Sequence, residues 1–138
     1  MRDRVFIDSN IFLYAFNDAD LQKHTRAIEA IISSNYESVI SVQIINEVSN
    51  NMLKKLNFSN SEVKEFIVDS YQRYEVQTIT KEIFTNACDI RDSYNVSYYD
   101  SLILSAALFC ECQYILSEDM QHKQSIFDKL TIINPFTK

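Results

Sequence analysis

The chain has 138 residues, of which 46% are hydrophobic, enough for one domain with its own core and too apolar for a disordered segment. A formal net charge of −6 excludes a generally basic nucleic-acid-binding surface, though not an enzyme whose acids gather around a cation. Glycine is absent, which excludes the Gly-rich phosphate loops of the Rossmann and P-loop types.

Val5-Phe6-Ile7 runs straight into Asp8-Ser9-Asn10. A short apolar run ended by polar residues predicts a buried strand, with Asp8 at its carboxyl end. Too few apolar residues precede Asp8 for a signal peptide, and no apolar run approaches the roughly 18 residues of a membrane span. Residues 11–16 stay apolar and predict a short helical turn packed on the sheet.

Asp20 is placed to cap a helix over residues 21–34. Its stripe is Ala27, Ile28, Ile31 and Ile32, with Lys23, His24 and Arg26 on a solvated face. Residues 37–41 predict a second strand. A helix follows with Ser41 as cap, a stripe of Ile44, Ile45, Val48 and Met52, and Glu47 in its second turn.

Ser59 and Glu62 form a capping box for a helix reaching about residue 74. Residues 75–79 predict a third strand. Thr80 then caps a helix to about residue 94, with Ile83, Phe84, Ala87 and Ile90 facing inward. Tyr98-Tyr99-Asp100-Ser101 opens a helix apolar almost all round, as expected of one buried against a sheet and a second element.

Residues 113–117 predict a fourth strand, and Glu118-Asp119 follows at once. Residues 121–129 are expected to be loop or a short helix, and residues 130–135 a final strand that Pro135 terminates. Cys110-x-Cys112 lacks zinc spacing, so Cys88, Cys110 and Cys112 are expected to be buried thiols. The expected compartment is the cytoplasm.

Strands alternating with helices imply an α/β domain with a mainly parallel sheet of four to five strands and helices on both faces, spanning residues 1–138 without repeat or linker. In such sheets ligands bind beyond the carboxyl ends of the strands. Asp8, Glu47 and Asp119 all fall at strand ends or the helix starts after them, and Asp100 begins the most buried helix. Two carboxylates about 4 Å apart cost roughly 4 kcal/mol at an effective dielectric of about 20, so such a cluster takes up protons or binds a hard cation. An all-oxygen set suits Mg²⁺ or Mn²⁺, and the chemistry that fits is metal-dependent phosphodiester hydrolysis.

With these motifs in order, the chain resembles the PIN-domain ribonucleases. The matching residues are Asp8-Ser9-Asn10 after the first strand, Glu47, Tyr99-Asp100-Ser101-Leu102-Ile103, and Leu116-Ser117-Glu118-Asp119-Met120. Within that family it is most similar to VapC-type toxins of toxin–antitoxin pairs. The resemblance implies a three-layer α/β/α PIN-like fold and a Mg²⁺-dependent endoribonuclease, with Mn²⁺ as a substitute ion. It implies a homodimer inhibited by a cognate antitoxin protein, acting on RNA. Asp8, Glu47, Asp100 and Asp119 would be the catalytic metal-binding acids, with Asn10 and Ser117 in support. Lys123 stands where similar sequences often place glycine.

Two other classes stand beside this reading. A catalytically silent PIN-like module would bind RNA or protein; loss of Asp8 or Asp100 would favour it, and both are present. A phospho-acceptor receiver domain would need an acidic pair at the end of the first strand, where Ser9-Asn10 stands instead.

Overall fold

The strand β1 (Asp3–Ile7) lies at the middle of the sheet, with Phe6 and Ile7 fully buried. A strand covered on both faces carries a continuous apolar run instead of an alternating one. Truncating a side chain as enclosed as Phe6 costs about 3–5 kcal/mol, because the cavity closes only in part.

The computed structural model describes residues 2–137. After β1 come α1 (Ser9–Ala15), α2 (Leu21–Ile32), β2 (Tyr36–Ser41), α3 (Val42–Lys54) and α4 (Asn60–Arg73). The second half holds β3 (Glu75–Gln77), α5 (Lys81–Ser93), α6 (Tyr98–Phe109), β4 (Tyr114–Leu116), β5 (Ser125–Ile126) and β6 (Leu130–Ile133). The sheet order is β3-β2-β1-β4-β6-β5, parallel throughout except for β5 against β6. The helices cover the sheet as the outer layers of an α/β/α fold. Helix α1 packs on both α2 and α3, α4 packs on α3, and α5 packs on α6, which lies against β2 and β4.

The order places a switch point beside β1. The chain leaves β1 for β2 and β3 on one side, then returns to β4 on the other. Phe6 is level with Ile115 and Ile7 with Leu116, so the residues after β1 and after β4 emerge together at one edge. Crevices at such points are where α/β sheets bind ligands.

Local signals explain most helix starts. The side chains of Asp20, Ser59, Thr80 and Ser97 accept from the third residue beyond each, and Ser59 with Glu62 completes the capping box. Ser41 differs: it precedes α3 but makes no capping bond. Helix α6 buries every residue from Ser101 to Ala107, and its Ser105 Oγ donates to the Ile83 carbonyl of α5 (2.7 Å). Small side chains there let the two helices approach closely.

Several expectations are corrected, among them the inward-facing Phe84, which is exposed on α5. The sheet has six strands, because residues 121–129 contribute β5 to a hairpin with β6. Phe127 and Asp128 both have positive φ (51° and 57°), and the Lys129 amide closes the turn on the Ile126 carbonyl, a glycine-free turn of the kind that usually recruits glycine. In α2 only Ala27 is buried, whereas Leu21 and Ile32 are 68% and 66% exposed. Lys23, His24 and Arg26 face inward instead: His24 Nδ1 donates to the Tyr14 carbonyl (2.9 Å), and Arg26 reaches the carbonyls of Pro135 and Thr137. Among the cysteines, Cys110 and Cys112 are buried but Cys88 is exposed.

Candidate active site

Asp8 is 2% exposed at the end of β1, and its amide donates to the Leu116 carbonyl of β4 (3.0 Å). It caps α1: Oδ1 accepts the Ser9 amide (2.7 Å). Its other oxygen, Oδ2, accepts the hydroxyl of fully buried Ser117 (2.7 Å) and lies 3.5 Å from Asn10 Nδ2. Burial is the main force raising the Asp8 carboxyl to about 6, and the charges of Glu47 and Asp119 push the same way. The bonds from Ser117 and Ser9 oppose that rise.

Glu47 comes from the second turn of α3, where its position puts it beside the start of α1. Ser9 Oγ donates to Glu47 Oε2 (3.0 Å), and Gln43 Nε2 donates to Oε1 (3.0 Å). Gln43 Nε2 also reaches the Tyr99 carbonyl (3.4 Å), the residue before Asp100. Gln43 thus links α3 to the start of α6. Sequence reasoning missed this residue, although its position four before Glu47 puts it on the same helical face.

Asp119 follows β4. Its Oδ2 accepts from Asn10 Nδ2 (3.0 Å), and its amide donates to Ser117 Oγ (3.2 Å). Asn10 Oδ1 accepts the Glu118 amide (3.2 Å), so one amide side chain ties the start of α1 to the loop after β4. Asp100 stands in the first turn of α6, where the Ser97 hydroxyl accepts its amide (3.1 Å). Burial raises its carboxyl above the usual range, and the charge of Asp119 adds to this.

Glu118 points elsewhere. Its carboxylate accepts the Tyr14 hydroxyl (2.6 Å) and pairs with Lys23. It is therefore engaged by α1 and α2.

The four acids come to one edge, and the electrostatic influence of one on another connects them all. Among the described residues, no three His, Cys, Asp or Glu side chains close around a common point. The donor set fits a hard divalent cation in its chemistry: oxygen only, one member buried, and a repulsion that a positive charge would relieve.

A family model of the PIN domain matches residues 5–125, which hold all of these acids. The chain belongs to the PIN domain family. Solved structures share the fold over nearly the whole chain. A toxin–antitoxin complex from Klebsiella pneumoniae superposes with a TM-score of 0.68 at 17% identity, covering 95% of this chain and 97% of that one. The DNA-bound VapBC of Salmonella typhimurium gives 0.66 at 17% identity, covering 96% and 97%. VapC20 of Mycobacterium tuberculosis, a Sarcin-Ricin loop cleaving toxin, gives 0.65 at 14% identity, covering 83% and 91%. No curated protein matches the chain. In this PIN domain the acid edge lies at the switch point of the sheet: Asp8 and Asp119 follow β1 and β4, and Glu47 and Asp100 come from α3 and α6.

Proposed function

We propose that this PIN domain is a metal-dependent endoribonuclease that hydrolyses RNA phosphodiester bonds as the toxin of a type II toxin–antitoxin pair. The observation that carries the reading is the convergence of Asp8, Glu47 and Asp119 through Ser9, Asn10 and Ser117, with Asp100 beside them. Asp8, Glu47, Asp100 and Asp119 would hold Mg²⁺, or Mn²⁺ in its place. When bound, such an ion supplies Lewis-acid polarisation of a phosphate oxygen and neutralises the carboxylate cluster.

The chain's own residues set the geometry for this. Ser117 and the Ser9 amide aim the Asp8 carboxylate, one oxygen each. Gln43 and Ser9 fix Glu47 in the same way. Asn10 steers Asp119. Partners that orient a ligating carboxylate typically change metal affinity or activity 10- to 100-fold when removed.

The partners belong to the same reading. VapBC and toxin–antitoxin assemblies among the fold's relatives support a cognate antitoxin, and the exposed Leu21, Ile28 and Ile32 of α2 leave apolar surface for protein contacts. A homodimer and a cytoplasmic location complete it. Among the described residues no helix is long and apolar enough to cross a membrane.

The test is cleavage of structured RNAs, a Sarcin-Ricin loop among them, by purified protein with Mg²⁺, Mn²⁺ or EDTA. Asp8→Asn and Asp100→Asn are run beside the wild type. Metal-dependent cutting by the wild type alone is the expected result. Equal cutting by all three proteins would trace the activity to a contaminant. Binding without cutting by folded, metal-loaded protein would replace the nuclease with the silent binding module.

A further inference from the structure

A cavity of about 370 Å³ opens directly beside the acid edge, between α1 and the end of α3. Asn10 and Asp119 form one wall, and Asn17, Asn51, Lys55 and Leu56 are among the residues that line the rest. Its size is that of a small-ligand site, and its surface is mainly apolar with a few polar groups.

Those polar groups are partly engaged, and what remains is specific. Asn17 Oδ1 accepts the Ala19 amide (3.0 Å), which leaves the Asn17 NH₂ as a donor. Asn51 Nδ2 donates to the Glu47 carbonyl (2.9 Å), which leaves Asn51 Oδ1 as an acceptor. Among the described residues neither free group has another partner, and Lys55 forms no ion pair.

We infer that this cavity is a nucleobase subsite, holding the unstacked base of a nucleotide that adjoins the phosphate at the acid edge. The inference deepens the nuclease reading and rests on it for the identity of that phosphate. The Watson–Crick edge of every nucleobase offers a donor and an acceptor side by side, and the cavity lining supplies an acceptor in the Asn51 oxygen and a donor in the Asn17 NH₂. The apolar lining suits the faces of the ring. Lys55 stands where an ammonium can meet the sugar-phosphate backbone as it leaves the cavity. A base paired in a duplex has this edge occupied, so the substrate class is single-stranded RNA or a loop with a base turned out.

The test is a titration of metal-free, ¹⁵N-labelled full-length protein with adenosine, cytidine, guanosine and uridine. It follows the side-chain NH₂ signals of Asn17 and Asn51, with Asn86 of α5, which does not line this cavity, as control. The expected result is a saturable shift of the Asn17 and Asn51 signals alone, strongest for one base. Asn17→Ala should weaken that binding about tenfold, the loss of one hydrogen bond in a partly dry site. Asn51→Ala should weaken it to a similar degree, through loss of the acceptor. No movement with any nucleoside would overturn the proposal, as would movement with tri-arginine but no nucleoside, which would assign the cavity to a protein segment. Neither readout uses cleavage. Nucleoside binding without metal-dependent cutting would leave the subsite and remove the nuclease, and cutting without these shifts would do the reverse.

Discussion

Ser117 donates its hydroxyl to Asp8 Oδ2 at 2.7 Å across a sequence separation of 109 residues, and Ser117 Oγ in turn accepts the Asp119 amide at 3.2 Å. One buried hydroxyl therefore aims the acid after β1 and pins the loop that carries the acid after β4. Replacing it by Ser117→Ala leaves both partners short of a bond inside the protein. The expected cost is about 1–2 kcal/mol in denaturant unfolding, with RNA cutting lowered about 10- to 100-fold. Full activity in Ser117→Ala would show that neither acid depends on the bond.

Asp8→Asn should separate stability from activity. The wild-type carboxyl is buried and raised to about 6, so the folded state binds its proton more tightly than the unfolded state. The stability linked to that proton is complete below the ordinary value of 3.8 and is lost as pH rises through about 6. In the absence of metal, Asp8→Asn should therefore be the more stable protein at pH 8, by about 1–3 kcal/mol. The difference should shrink towards pH 4. Thermal unfolding in EDTA at both pH values reads this directly, and a variant less stable at pH 8 would contradict it.

Neighbouring acids should behave differently. Glu118 is engaged by Tyr14 and Lys23, whereas Asp119 is held at the acid edge by Asn10. Glu118→Gln should leave most RNA cutting in place and loosen α2. Asp119→Asn should abolish cutting with little change in folding. Reversal of the two phenotypes would move the site one residue along the loop.

A chain with no glycine must put other residues in the left-handed region, and Lys123 is one of them at φ 69°. Its amide is needed, since it donates to the Ile132 carbonyl (2.7 Å), but its exposed side chain is not. Removing the Cβ relieves about 1–2 kcal/mol and returns part of it as chain entropy. Lys123→Gly should thus stabilise the protein by about 0.5–1 kcal/mol, seen as a small rise in Tm. An unchanged or lower Tm would count against strain at this position.

The thiols should divide two to one. Burial foremost raises Cys110 to about 11 and Cys112 to about 12, and the charge of Glu75 adds to both. Raising the pH from 7 to 9 should not bring either into reaction with a thiol reagent, while exposed Cys88 labels at once. Because their folded values lie above the ordinary 9, stability should fall as pH rises beyond 9. Rapid labelling of all three thiols in folded protein would contradict the burial.

The local message was legible in the chain by itself. Val5-Phe6-Ile7 announces a buried strand, Ser59 with Glu62 a capped helix, and residues 102–110 a helix apolar almost all round, because these depend on period and neighbours a few residues away. Asp8 and Asp119 stood out for the same reason, each following an apolar run, and Glu47 and Asp100 by standing in the opening turns of apolar-striped helices. Tertiary structure alone decided what those acids meet. Pairing of β1 with β4 brings Ser117 to Asp8, and the packing of α3 near α6 brings Gln43 to Tyr99. It also turned Glu118 away, faced Lys23 and Arg26 inward and added β5. Periodicity records how deeply a residue is buried, whereas the partner it meets there depends on which distant element packs beside it.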